Sequence, residues 1–126
     1  MTLERRKIMD QLTNLFKVLS DGTRLRVVAL LYREELCVCE LVGVLDMSQP
    51  KISKSLSKLR DLNLVQDERK EKFVFYSLKR DNEILNGIIE GILGNIHDYP
   101  QIQQDMERLS EKEKYLDQCN PLSILE

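Results

Sequence analysis

Two cysteines, Cys37 and Cys39, stand one residue apart, shortly before the run Ser-Gln-Pro-Lys-Ile-Ser at 48–53. Thiolate sulfur is a soft ligand that binds thiophilic ions in preference to hard ones. The later run has the composition of a helix start that could read DNA, and an ion bound at the head of one packed helix can shift that helix. The pattern therefore predicts an ion sensor beside a DNA-reading element.

The spacing of the two cysteines restricts how they can share one ion. Residues i and i+2 of a regular helix point about 200° apart. Either Cys37 precedes the helix or the first helical turn unwinds, and we predict that ion binding distorts this helix start and passes the shift to Ser48. The helix dipole also favours a thiolate at a helix N-terminus, which predicts a thiol primed near neutral pH. The alternative is that both cysteines simply pack as small apolar side chains.

Length and composition limit the classes of protein to which the chain could belong. A chain of 126 residues, 42% hydrophobic, fits one domain (1–126), in which 117–126 form a tail. It has neither an apolar run near 18 residues nor a basic leader, which predicts no membrane partner and a cytoplasmic location with reduced thiols. Three cysteines with this spacing do not suggest a disulfide framework.

Other chemistries find little support. No nucleophile with a nearby base, glycine-rich phosphate loop or paired-carboxylate signature is present, so we do not expect an enzyme. His97 is the sole histidine. A zinc site on the long apolar helix would need imidazole and carboxylate pairs at helical intervals, so we expect His97 to be a surface or helix-end residue.

Charge is divided along the chain. Residues 48–80 carry nine basic and four acidic side chains, a net +5, whereas residues 81–126 carry three basic and ten acidic ones, a net −7. A local basic stretch is what a phosphate-contacting surface needs. A solvated face is the alternative interpretation of charge alone.

Hydrophobic periodicity predicts a helical protein with one hairpin. The predicted order is a helix over 3–19, a second helix capped by Asp21 or Thr23, a short helix over 39–45, a helix from Ser48 to about Asn63, strands at 64–66 and 73–78 with a charged tip at 67–72, an apolar helix over 82–96, and a last helix over about 102–116. The broad apolar stripe of the 82–96 helix predicts burial against a second copy of the chain. This order is the mainly α, α+β pattern of a winged helix-turn-helix, dimerised through its terminal helices.

At three segments the chain resembles the ArsR/SmtB family of metal-responsive repressors, in its arsenical branch: 20–24, the Cys-Val-Cys box at 35–41, and 48–53. The resemblance covers about residues 10–80. It implies a homodimer that binds an inverted-repeat operator and leaves it when As(III) or Sb(III) binds thiolates. It also implies a recognition helix and a wing that contact DNA. Together with the hydroxyl and lysine side chains on the exposed face of the 48–63 helix, it predicts these DNA-binding residues: Ser48, Gln49, Lys51, Ser53, Lys54, Ser57, Arg69, Lys70 and Lys72.

The chain departs from the arsenical pattern where the family often has a third cysteine, because Val42 stands there. Cys119 is the remaining thiol, so the predicted ligands are Cys37, Cys39 and Cys119, with Cys119 from either subunit or else a free cysteine in a frayed tail. Two alternatives stay open. One is a repressor of the same fold that senses Cd(II), Pb(II) or thiol oxidation. The other is a non-sensing dimeric interaction module.

Overall fold

The computed structural model describes residues 2–118, with side chains as far as Leu116. Cys119, one of the three predicted ligands, lies outside these residues. The described elements are α1 (Leu3–Leu19), α2 (Gly22–Arg33), β1 (Leu36–Cys37), α3 (Val38–Leu45), α4 (Gln49–Asp61), β2 (Val65–Lys70), β3 (Phe73–Leu78), α5 (Glu83–Gly94), a 3₁₀ turn (Ile96–Asp98), α6 (Pro100–Leu109) and α7 (Lys112–Gln118).

Side-chain caps set the helix starts. Asp21, rather than Thr23, accepts the Arg24 N–H at 2.9 Å and begins α2. Ser48 caps α4, and Pro50 lies in the first turn, where no helical hydrogen bond needs its N–H. Asn63 takes a left-handed φ of 63° just after α4 ends, which confirms the predicted stop.

The three strands form one antiparallel sheet in the order β1-β3-β2. The core lies where α2, α3 and α4 meet this sheet and α5, and its fully buried side chains include Leu30, Leu41, Ile52, Leu59 and Ile89. This is the predicted winged helix-turn-helix. No described helix has the length and apolarity to span a membrane.

A buried ion pair joins α2 to α6. Arg26 donates two hydrogen bonds to Asp105, each 2.8 Å, and Gln101 donates a third at 3.2 Å. The Asp105 side chain is only 2% exposed. This pair fixes the C-terminal helices against the helix-turn-helix.

Several predicted boundaries were wrong. Strand β1 was missed, because two residues carry no periodicity and the partner of Leu36, Tyr76, lies 40 positions further along the chain. Strand β2 runs to Lys70, so the wing tip is only Glu71 and Lys72 rather than 67–72, and Glu71 takes a left-handed φ of 57°. The apolar helix ends at Gly94, and the single last helix is two, α6 and α7.

Candidate thiol site and nucleic-acid interface

The two box cysteines lie at the junction of a strand and a helix. Cys37 ends β1 and is the N-cap of α3, with extended backbone angles (φ −87°, ψ 168°), while Cys39 lies in the first turn of that helix. Cys37 therefore precedes the helix, which is the first of the two arrangements that the spacing allowed. Both side chains are buried, Cys37 being 2% exposed.

Burial changes the acidity expected of Cys37. Removal from water raises the pKa of its thiol to about 11, and this outweighs the backbone N–H groups of Glu40 and Cys39, which lower it. The nearby Glu40 carboxylate, itself buried, accepts the Cys37 N–H at 3.1 Å. The prediction that the helix dipole primes this thiol near neutral pH was wrong, because desolvation of the charged form dominates.

We expect Cys37 to react slowly with alkylating agents in the folded protein. A variant with Cys39→Ser and Cys119→Ser leaves only this thiol. Since its pKa rises from 9.0 to about 11, the thiolate fraction at neutral pH should fall about 100-fold. Iodoacetamide rates measured against pH should climb towards about pH 11 when the protein is folded. In urea the rate for the same variant should level off near the ordinary pKa of a cysteine thiol. A rate for the folded protein that levels off at that lower pH would contradict the raised pKa.

The sheet connects the Cys-Val-Cys box to the wing, which is the hairpin of β2 and β3. Cys37 pairs with Phe75 of the central strand β3, and β3 pairs along its whole length with β2. Glu35, two residues before Cys37, forms an ion pair with Lys70 at the end of β2. Sequence reasoning missed both links, because each joins residues more than thirty positions apart.

The described residues do not by themselves complete a metal site. Within 2–118, no group of three histidine, cysteine, aspartate or glutamate side chains could hold an ion. Cys37 and Cys39 are the two cysteines within this range, so a third sulfur ligand would have to come from outside it. His97 lies exposed in the 3₁₀ turn, where its Nδ1 is 3.1 Å from the Gln103 amide.

The predicted DNA-contacting face of α4 is exposed. Its apolar stripe, Ile52, Leu56 and Leu59, is buried. The predicted residues of this segment that are exposed are Ser48, Gln49, Lys51, Lys54 and Ser57. The remaining one, Ser53, is half-buried and accepts a hydrogen bond from Gln49 at 3.2 Å.

A groove between the start of α2 and α4 extends this face. It is lined by Lys51, Lys54 and Ser57 together with Arg24 and Lys58, which sequence reasoning missed. The spacing of the three lysines, 51, 54 and 58, is that of one helix face and could have identified Lys58. Asp21 and Asp61 also line the groove. The Arg24 Nε donates to the Val18 carbonyl at 2.9 Å, which orients this guanidinium.

The three predicted wing residues are all exposed, but they occupy different places. Arg69 and Lys70 lie within β2, and Lys72 lies in the turn. Because Lys70 pairs with Glu35, a phosphate contact by Lys70 requires this exposed pair to open, and such pairs are weak.

A tight turn joins the thiol site to α4. Helix α3 ends at Leu45, Asp46 takes a left-handed φ of 55°, and the Met47 N–H bonds the Val42 carbonyl at 3.3 Å. Ser48 then begins α4. A displacement of α3 therefore has a short, ordered path to the exposed face of α4.

Comparison with known proteins agrees with this geometry. The profile described as bacterial regulatory protein, arsR family, matches residues 21–67. The arsenic resistance transcriptional regulator ArsR1 of Pseudomonas putida is 43% identical over 81 residues, which are 60% of this chain and 63% of the relative. The cadmium resistance transcriptional regulatory protein CadC homolog of Staphylococcus aureus is 34% identical over 89 residues, 70% of this chain and 71% of the relative.

The chain belongs to the arsR family of bacterial regulatory proteins. The family resemblance predicted from the Cys-Val-Cys box and the flanking segments is thus confirmed. Within the family, the crystal structure of the transcriptional repressor BigR from Xylella fastidiosa has a similar fold, with a TM-score of 0.62 and 31% identity, covering 73% of this chain and 93% of that one. The family has relatives named for arsenic and for cadmium, so family membership does not select the ion.

Proposed function

We propose that this protein is a cytoplasmic transcriptional repressor that leaves its operator when As(III) or Sb(III) binds Cys37, Cys39 and Cys119. The observation that carries the proposal is the position of Cys37 and Cys39. They stand at the head of α3, and a single tight turn joins the end of α3 to the exposed face of α4. An ion that draws the two sulfurs together changes the start of α3, and a packed helix moves as a unit.

The basic face of α4 supports double-stranded DNA as the partner. Lysines bind phosphate or guanine, glutamine pairs with adenine, and serine hydroxyls bind either. Gln49, Lys51 and Lys54 are all exposed in the first two turns of a helix whose apolar stripe is buried. Arg69 and Lys72 are exposed on the hairpin of β2 and β3.

Replacing Lys51 or Lys54 by alanine should weaken operator binding and flatten its salt dependence. Each phosphate contact contributes about 0.9 to the slope of log K against log salt, so losing one contact in each half of a dimer should lower the slope by about 1.8. Binding isotherms at several salt concentrations measure this slope. Lys114→Ala, at an exposed lysine of α7, is the control. An equal change of slope in that variant would argue against the α4 face as the surface that contacts phosphate.

Arsenite and divalent ions differ in the fate of the thiol protons. Cd(II) and Pb(II) bind thiolates and displace the thiol protons into water, so their binding strengthens as the pH rises. As(OH)₃ condenses with neutral thiols: each new As–S bond replaces one As–O bond, and the thiol proton leaves with the hydroxide as water. Arsenite therefore needs no free thiolate at equilibrium.

Proton release tests this choice of ion. In weakly buffered solution near pH 7, arsenite should dissociate the operator complex of the reduced protein without changing the pH. Cadmium should release protons as it binds and should act more strongly as the pH rises. Operator release by cadmium but not by arsenite would favour the second candidate, a cadmium or lead sensor.

We also propose a homodimer formed through α1 and α5. Helix α1 packs on the core with Leu15 and Val18 but leaves Ile8, Met9 and Phe16 exposed, and α5 leaves Ile84 exposed. Apolar side chains repeated along two helices mark a protein interface. A dimer also presents two copies of α4, as an inverted repeat requires.

Phe16→Asp should convert this dimer to a monomer. The Phe16 side chain is 51% exposed, so the folded chain should tolerate the charge, whereas an apolar interface should not. Sedimentation equilibrium gives the mass directly. Val74→Asp, an apolar-to-acid change on the wing, should leave the mass unchanged, and a dimeric Phe16→Asp protein would place the interface elsewhere.

A further inference from the structure

The groove between the start of α2 and α4 contains two buried hydroxyl groups besides its basic side chains. Thr23, in the first turn of α2, is 8% exposed, and Ser55, in the middle of α4, is 7% exposed, and both line the groove. Neither side chain takes part in a hydrogen bond within residues 2–118. A buried hydroxyl is normally satisfied by protein, water or ligand, so both are available to a ligand that enters the groove.

The basic side chains of the groove are not neutralised. In the part of the chain that the structure describes, none of its four cations forms an ion pair, whereas nearby Arg60 pairs with Asp67 at 2.6 Å. These four are Arg24, Lys51, Lys54 and Lys58. The two acids of the groove are Asp21 and Asp61, and the Asp21 carboxylate is occupied as the cap of α2. Four positive and two negative charges give the groove a net +2, which favours an anion.

The start of α2 adds oriented donors. The Arg24 Nε donates to the Val18 carbonyl at 2.9 Å, which leaves the two terminal amino groups of the guanidinium for another partner. The N–H groups of Gly22 and Thr23 lie in the first turn, where no helical carbonyl can accept them. Nothing lies within 4 Å of a Cβ built at Gly22, so this helix start is open. Helix starts of this kind bind phosphate groups.

We infer that the groove binds one backbone phosphate in each half of the operator, through the charges of Arg24 and Lys58 and the hydroxyls of Thr23 and Ser55. Guanidinium, ammonium, hydroxyl and helix-start N–H groups are the donors that contact DNA phosphates. The inference rests on the proposed function and adds a contact outside the face of α4 that meets the bases.

Continuity of the groove with that face identifies DNA as the source of the phosphate. Lys51, Lys54 and Lys58 follow one another at helical spacing, and the first two belong both to the exposed face of α4 and to the groove. A DNA strand that contacts the start of α4 therefore has a basic path towards α2.

Operators in which one phosphate at a time is replaced by an uncharged methylphosphonate test the inference. For the reduced full-length parent, one such position in each half-site should lower the affinity about tenfold, as loss of a hydrogen bond to a charged group does. In Arg24→Ala and in Lys58→Ala the same replacement should have a much smaller effect, because the charge that it removes has lost a partner. Fluorescence anisotropy measures these affinities.

The scan separates a phosphate contact from a structural role. Arg24 also binds the Val18 carbonyl, but a folding defect would weaken binding to every operator alike and would not erase the effect at one position. Arg60→Ala is the matched control, because it removes an exposed arginine of α4 that is outside the groove. This variant should retain the parent's sensitivity at every phosphate.

Removal of the two hydroxyls gives an independent test. Thr23→Val and Ser55→Ala keep nearly the same side-chain volume, and each should weaken operator binding about tenfold. Neither should lower the free energy of unfolding in urea, since no hydrogen bond within residues 2–118 is lost. Ser110→Ala, which removes an exposed hydroxyl at the end of α6, should leave the affinity unchanged. Unchanged affinity in both Thr23→Val and Ser55→Ala would contradict the role of the hydroxyls.

Each result of the scan has a distinct meaning. Loss of sensitivity at the same phosphate in Arg24→Ala and Lys58→Ala would support the inference. Full sensitivity at every phosphate in both variants would overturn it and leave the proposed function standing. The inference would also be overturned if inorganic phosphate bound the DNA-free parent but not Arg24→Ala while the scan showed no such loss, because the groove would then bind a free anion. A parent that bound no inverted repeat would overturn the inference and the proposed function together.

Discussion

Replacing Cys37 and Cys39 together by serine is expected to abolish release from the operator by arsenite and to leave operator binding intact. A serine hydroxyl is a hard, weak ligand for a thiophilic ion. We expect the arsenite concentration for half release to rise at least about 100-fold, equivalent to about 2.7 kcal/mol. Serine is also a favoured N-cap, so the start of α3 should not be weakened at position 37.

Fluorescence anisotropy of a labelled duplex, titrated with arsenite, measures this effect. Val38→Ser is the matched control, because it places a hydroxyl between the two cysteines and keeps both sulfurs. Cys119→Ser should lie between the parent and the double variant, since two sulfurs still bind arsenite more weakly than three. Release of the double variant at the parent's arsenite concentration would place the sensing site elsewhere.

Replacing Asp105 by alanine is expected to destabilise the fold by about 3 kcal/mol. The substitution leaves the Arg26 guanidinium, whose side chain is 18% exposed, without its buried carboxylate partner. Urea denaturation followed by circular dichroism gives the free energy of unfolding. Because α6 carries α7, we expect the variant to lose trypsin protection at Lys112 as well.

The control for this prediction is Glu111→Ala, which breaks the exposed pair between Glu111 and Lys114. Such surface pairs contribute little, so we expect no measurable change in unfolding. If Asp105→Ala were as mild as Glu111→Ala, the pair between α2 and α6 would not be what fixes the C-terminal helices.

Local patterns predicted much of this fold. Helices α1, α2 and α4 follow from apolar periodicity and from the caps at Asp21 and Ser48. The two strands of the wing follow from their aromatic and β-branched residues. Hydrophobic periodicity and helix capping depend on residues within about a dozen positions of one another, so both can be recognised from the sequence alone.

What sequence reasoning missed depends on contacts between distant residues. Strand β1 exists only because β3 pairs with it. The break between α6 and α7 lets Tyr115 contact Gly43, and hydrophobic periodicity within either helix does not predict this contact. The raised pKa of Cys37 comes from the core packed around it. In each case the contact joins residues that are far apart in the sequence. The same is true of the ion pair between Glu35 and Lys70.

Release of bound operator by arsenite tests the sensor assignment most directly. A duplex selected from a randomised inverted-repeat library is bound by the reduced parent protein and titrated with arsenite, antimonite, cadmium, lead and zinc in parallel. We expect complete release by arsenite and antimonite at concentrations near that of the protein, as the sensor assignment requires. An operator complex that stays intact with arsenite well above the protein concentration would contradict it.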